Sequence, residues 1–326
     1  MQPEVAVSHK NISHSLLDHF REYGIALALM LEIILFWWLS PYFLTTENLI
    51  NVTLQVSITA IIAVGMTFVI LTAGIDLSVG AVVALSGVIT TGFLKQLNPS
   101  MFALPIAILA GVGVGAVAGF ITGTCITRFR ITPFIATLAI MTIARGIAFL
   151  YTDGRPIWEL PTDFGVLRSG RLAGLPLPTL IMIILYLLAF VVLHQTRFGR
   201  YVYAVGGNKE AARLCGINVN AVIVRVYVLS GMLAAVSGIL LSSRMNSGQP
   251  NAGQMYELDV IAAVVVGGTS LFGGRGTVVG TFLGAMLIGI LHNGLNLRNV
   301  SSYMQMVVLG VVILVAVMLD QMKKQS

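Results

Sequence analysis

Three ionisable residues stand inside apolar runs: Glu32 in "LALMLEIILFWW", Asp76 in "ILTAGIDLSVG" and Arg145 in "LAIMTIARGIAF". A carboxylate so placed can carry a proton or bind hydroxyl groups. A lone charge at the centre of a membrane helix costs about 2.5–3.5 kcal/mol on insertion scales, so each needs a polar partner or water. Asp76, flanked by Gly74 and Gly80, has two uses open to it. With Ser78 it can offer hydrogen bonds to a polar substrate on a translocation route, or it can cap the next helix by accepting from the amides of Ser78 and Val79. The cap is the favoured use, and the two are compatible.

Other chemistry is missing. The chain holds no H-E-x-x-H and no G-x-S-x-G, so an intramembrane hydrolase is disfavoured. Gly268 and Gly273 have phosphate-loop spacing, but Gly274 stands where the lysine belongs, so ATP is not hydrolysed here by that mechanism. Cys125 and Cys215 are single thiols, and His9, His14 and His19 read as a solvated tail, so no metal site is expected.

The elements that position these residues follow from composition. Of 326 residues 57% are hydrophobic and 10% charged, the signature of an all-α integral membrane protein. Apolar segments fall near 23–40, 52–73, 77–97, 101–126, 131–151, 177–195, 220–243, 258–272, 277–293 and 302–320. About ten transmembrane helices are expected. The eighth and ninth segments are short and separated by "LFGGRG", which suggests a broken or re-entrant element. With the N-terminus inside, eleven Lys and Arg fall in cytoplasmic loops and six outside, so both termini are expected in the cytoplasm. Residues 1–22 and 321–326 then form tails around a membrane domain of 23–320. The net charge of +6 reads as topology and lipid contact, not nucleic acid. Asn51, Gln55, Asn293 and Asn296 lie near outer span ends as candidates for a translocation path, as do Asn48, Asn246, Gln249, Asn251 and Tyr303. In the outer loop 152–176, Trp158 and Phe164 are expected at the lipid interface or against a partner.

Gly111, Gly115, Gly119 and Gly123 recur every four residues, as do Gly276, Gly280 and Gly284, each row marking a face for tight helix packing. "GIDLSVG" (74–80) and "GTSLFGG" (268–274) share a G-x-x-L-x-x-G pattern compatible with an internal duplication.

One polar stretch remains, "VGGNKEAARLCGINVN" at 205–220. Asn208 is a good N-cap, Glu210 puts negative charge in the first turn, and Gly216 can close a helix in the left-handed conformation. Lys209 to Cys215 would then make a helix about 10 Å long, too short to persist unless packed on something.

With "AVGMTFVILTAGIDLSVGAVVALSG" (63–87), "FIATLAIMTIARG" (134–146), "TRFGRYVYAVGGNKEAARLCGINVN" (196–220), "YELDVIAAVVVGGTSLFGGRGTVVGTFLGA" (256–285) and "HNGLNL" (292–297), the chain resembles the permease subunits of ATP-binding-cassette importers for monosaccharides. The likeness runs from about residue 40 to the C-terminus. It implies a cytoplasmic coupling helix at about 207–217 that docks on an ATPase subunit through Asn208, Lys209, Glu210, Ala211, Ala212, Arg213 and Gly216. Glu210, Ala211, Ala212 and Gly216 match the E-A-A-x-x-x-G of importer permeases, whereas the I-x-L-P that follows in its longer form is absent. The resemblance further implies a multi-pass protein of the bacterial cytoplasmic membrane, a second permease chain, and an external sugar-binding protein. ATP and Mg would sit on the partner ATPase, with no cofactor on this chain and no reaction catalysed by it. The substrate implied is ribose or a related pentose or hexose. The competing reading is an ion-coupled secondary sugar transporter using Glu32 or Asp76 as a proton carrier.

Overall fold

The computed structural model describes residues 11–97, 100–172 and 174–325. Residues 1–10, which include His9 of the N-terminal tail, lie outside the described residues. The chain folds into helices α1 (Asn11–Leu39), α2 (Thr46–Leu71), α3 (Val79–Leu97), α4 (Ala103–Arg128), α5 (Pro133–Thr152), α6 (Val166–Ser169) and α7 (Leu177–Gln195). These are followed by α8 (Arg197–Gly207), α9 (Lys209–Leu214), α10 (Val219–Met245), α11 (Tyr256–Val266), α12 (Val278–Leu297) and α13 (Ser302–Gln325). A two-residue ladder, Arg171–Leu172 on Leu175–Pro176, lies in the connection before α7.

Each of the ten apolar segments contains a helix. Among the described residues seven of these helices, α2, α3, α4, α5, α7, α10 and α12, are long and apolar enough to span a membrane, and Gly24–Leu39 and Ser302–Met318 are shorter apolar stretches of α1 and α13. The eighth segment holds just the 11-residue α11, about 16 Å at helical rise and half of a hydrocarbon core. Local chemistry sets the ends. Thr45 caps α2 through the Asn48 amide, Pro133 occupies the first turn of α5, and Thr277 caps α12 through the Gly280 amide.

The bundle is built around α10. Small residues let α2 run antiparallel to it, with Gly65 against Ser230 and the Ser237 hydroxyl donating to the Ile58 carbonyl at 2.9 Å. On another side α3 runs parallel to α10, with Gly238 against Val83 and Gly87 against Ser242. Gly111 sits against Thr90 of α3, while Gly115, Gly119 and Gly123 meet α10 at Gly231, Tyr227 and Val224. With no Cβ on these faces the backbones approach closely, which is how apolar helices gain contact energy in lipid. The second glycine row is shorter than expected. Gly280 and Gly284 of α12 pack on Gly267 and Ala263, but Gly276 precedes the helix, where at φ 151° it lies against Thr269.

In the connection before α7 the expectation for Phe164 fails. Its ring is fully buried, and its carbonyl accepts from the Ser243 hydroxyl at 2.7 Å, because α6 folds back on α10. Trp158 is 53% exposed.

Candidate functional site: a short exposed helix and a mid-membrane break

The polar stretch at 205–220 forms two helices. The Asn208 side chain accepts from the amides of Glu210 and Ala211, both at 3.0 Å, which starts α9. Cys215 ends it, and Gly216 follows at φ 79°, a conformation costly to any residue with a Cβ. Glu210 and Arg213 pair at 2.7 Å on the exposed surface, an interaction that fixes side-chain direction more than it stabilises the fold. Ala212 alone in the helix is buried. Leu214, by contrast, is 90% exposed beside the exposed thiol of Cys215. Next to α9 a cleft of about 620 Å³ is lined by Arg128, Arg130, Lys209 and Arg213.

Helix α8 ties this surface to the bundle. Gly206 lies against the Leu71 carbonyl at the end of α2 and against the Gly274 amide, and that amide donates to Leu71 at 2.9 Å. The Tyr203 hydroxyl donates to the Gly276 carbonyl at 2.8 Å, and burial pushes its phenol above the ordinary tyrosine range, which keeps the donor proton in place. Phe198 stacks on Phe68, ring centres 6.2 Å apart. Helix α8, which directly precedes α9, is thus packed on both α2 and the 267–277 connection.

Between α2 and α3 the chain is irregular over 72–78. Asp76 is buried there, and one carboxylate oxygen accepts from the amide and hydroxyl of Ser78 at 3.0 and 2.6 Å. The other takes the hydroxyl of Ser230 at 2.9 Å. Asp76 and Ser78 thus bind each other and α10. The "GTSLFGG" stretch lies beside this break, with Gly273 resting directly on Ala73. A second irregular stretch, 246–255, leads into the N-terminus of the short helix α11. Sequence reasoning missed it, although Ser247, Gly248, Pro250 and Gly253 are the breaker residues that mark one. Arg145 serves this stretch: its Nη1 donates to the carbonyls of Pro250 and Ala252 at 3.0 and 2.7 Å. Arg145 and Glu32 therefore have separate surroundings, and a buried oxygen of Glu32 has no hydrogen-bond partner.

The remaining path candidates divide. Asn51 is exposed and Gln55 half-buried on α2. Asn293 is committed elsewhere, exchanging reciprocal bonds of 3.0 and 2.9 Å with Asn48 across α12 and α2. Asn296 accepts from Gln305 of α13 at 2.8 Å. Gln305 also meets His292 at 3.3 Å, and His292 meets Asp259 of α11 at 3.2 Å. This network clamps α11, α12 and α13 together. Asn48→Ala leaves Asn293 unpaired in a buried site, and the expected loss of stability is about 1–3 kcal/mol. Paired Asn48→Leu and Asn293→Leu should recover part of it, as read by thermal unfolding in detergent.

Residues 48–317 match the family model described as "Branched-chain amino acid transport system / permease component". The chain is 49% identical over 303 residues to the ribose import permease protein of Bacillus subtilis (strain 168), covering 92% of each. It is 49% identical to the ribose import permease protein of Escherichia coli (strain K12), over 91% of this chain and 93% of that one. To the D-allose transport system permease protein of Escherichia coli (strain K12) it is 38% identical, over 92% of each. No solved structure matches. By family model and by full-length identity alike, this chain belongs to the branched-chain amino acid transport system / permease component family, and these relatives within it are sugar permeases.

Proposed function

We propose that this permease moves a neutral monosaccharide, ribose first and related pentoses and hexoses after it, across the bacterial cytoplasmic membrane. The sugar arrives from an external binding protein on the side of the 153–176 connection. Both termini and α9 face the cytoplasm, where a separate ATPase subunit carries ATP and Mg and docks on α9. Two copies of the chain work as a pair.

The observation that carries this reading is the surface of α9. A two-turn helix does not hold itself together in water, and here it is capped at both ends while it offers Leu214 almost wholly to solvent. A single exposed leucine is ordinary, but one at the tip of a capped helix that packs on α8 and α10 is suited to a partner's pocket. Ala211 lets a partner lie close, and Glu210 with Arg213 would fix register. The basic cleft beside it suits carboxylates on the same partner.

The test is affinity purification of the chain from its own membranes, intact and with Glu210→Lys plus Gly216→Arg. A P-loop ATPase should come with the intact chain and fall at least about tenfold in the double variant, the equivalent of about 1.4 kcal/mol of binding. Absence of any ATPase under gentle detergent, with uptake following an ion gradient, would overturn the reading.

A further inference from the structure

The stretch 246–255 lies where lipid cannot cover it. At one end Gly248 pairs with Ile157 beyond the end of α5, through bonds of 2.8 and 3.0 Å, and packs on Thr91 late in α3. At the other end Gly253 sits against Gly80, the second residue of α3. By helical rise Gly80 is about 25 Å below the end of α3 at Leu97, most of the way across a core of about 30 Å. Arg145, which holds the middle of the stretch, is about 10 Å below the end of α5 at Thr152.

Over that depth the backbone is not helical, and Asn251, Gln254 and Met255 are exposed. Irregular backbone at membrane depth survives only where protein or water covers it, because each unsatisfied polar group in hydrocarbon costs several kcal/mol. The groups gathered here have a common chemistry. Asn251 and Gln254 each offer an amide donor and acceptor. Thr142, exposed on α5 one turn before Arg145, offers a hydroxyl. Glu257, in the first turn of α11, lies against Gly80 at the lower end of the stretch. With the Arg145 guanidinium occupied by the Pro250 and Ala252 carbonyls, these amides and the hydroxyl offer neutral donors and acceptors, the chemistry that suits an uncharged, hydroxyl-rich ligand.

We propose that 246–255, with Asn251 and Gln254 presented to water and Arg145 holding their backbone, forms a weak polyol-binding wall of the translocation path. This rests on the reading of the chain as a sugar permease. Asn251 and Gln254 contact the sugar, whereas Arg145 is a positioning residue that acts through the Pro250 and Ala252 carbonyls.

The test places single cysteines at 251 and 254 in a Cys125→Ser, Cys215→Ser background, using the assembled transporter in its membranes. A membrane-impermeant cationic methanethiosulfonate should modify Asn251→Cys and Gln254→Cys, and leave Ile143→Cys on the outward face of α5 unmodified. Paired Asn251→Ala and Gln254→Ala should lower D-ribose uptake at least about tenfold, the loss expected when two hydroxyl contacts go. For Arg145→Lys the expected result is partial uptake with unchanged sugar selectivity among pentoses. Failure of the reagent to reach both cysteines, with and without ATP, would overturn the proposal. So would wild-type uptake by the double-alanine variant. ATPase copurification is read in the same membranes, and its loss in the unmutated chain overturns the importer reading instead, whatever the thiols do.

Discussion

Gly115→Val should destabilise the bundle, while Gly113→Val, two residues away on the same helix, should be accepted. A Cβ at 115 falls on the Gly231 carbonyl and within 2.7 Å of the Ala235 Cβ, so it meets a helix backbone with no side-chain end able to swing aside. Overpacking typically costs about 1–3 kcal/mol and occasionally more, and here α4 and α10 must separate along their whole contact to admit the methyls. At position 113 a Cβ meets nothing within 4 Å. Thermal unfolding in detergent decides it. A drop of about 2–12 °C is expected for Gly115→Val, on a scale of about 2–4 °C per kcal/mol. Equal behaviour of the two variants would mean that the α4–α10 contact is not where the bundle is tightest.

At Asp76 the second large effect is expected from alanine and not from asparagine. The carboxylate gathers the amide and hydroxyl of Ser78 and the hydroxyl of Ser230, and it pins the start of α3 to the middle of α10. Asp76→Ala strands those donors in a buried site, and bonds to a charged group contribute about 1.5–3 kcal/mol. Sugar uptake should fall more than about tenfold, since about 1.4 kcal/mol is already a factor of ten. Asparagine keeps an oxygen for Ser78, and Ser230 can turn its hydroxyl to accept from the new amide. Asp76→Asn should therefore keep roughly half of the uptake, the serine bonds being re-formed with neutral partners. A proton-carrying carboxylate predicts the opposite, because asparagine cannot release a proton. Measuring uptake for both variants in one set of membranes separates an architectural carboxylate from an ion-coupled one.

Local chemistry was the part most legible in the sequence. Asn208 and Gly216 bracket α9 because a side-chain acceptor and a left-handed glycine are requirements of helix ends, whatever the surrounding fold. The glycine row from 111 to 123 marks one helix face through its spacing alone, and the Ser78 amide lies within reach of Asp76 because it is two residues away. What lay hidden needed three dimensions. Ser230 is 154 residues from Asp76 in the chain, and nothing about a serine in an apolar run says which carboxylate it will meet. Asn48 and Asn293 have the polarity of a sugar contact but spend it on each other. Hydropathy placed a segment at 258–272 but could not show that its helix is only half a span, because composition reports affinity for hydrocarbon and not backbone conformation.

The exposure of Leu214 bears on how the cell must manage this protein. If α9 docks an ATPase as proposed, a copy made without that partner leaves Leu214 uncovered next to an exposed thiol. Under the proposed docking, the same side chain distinguishes an orphan subunit from an assembled one. On that reading, surplus copies are the ones open to capture by chaperones or proteases.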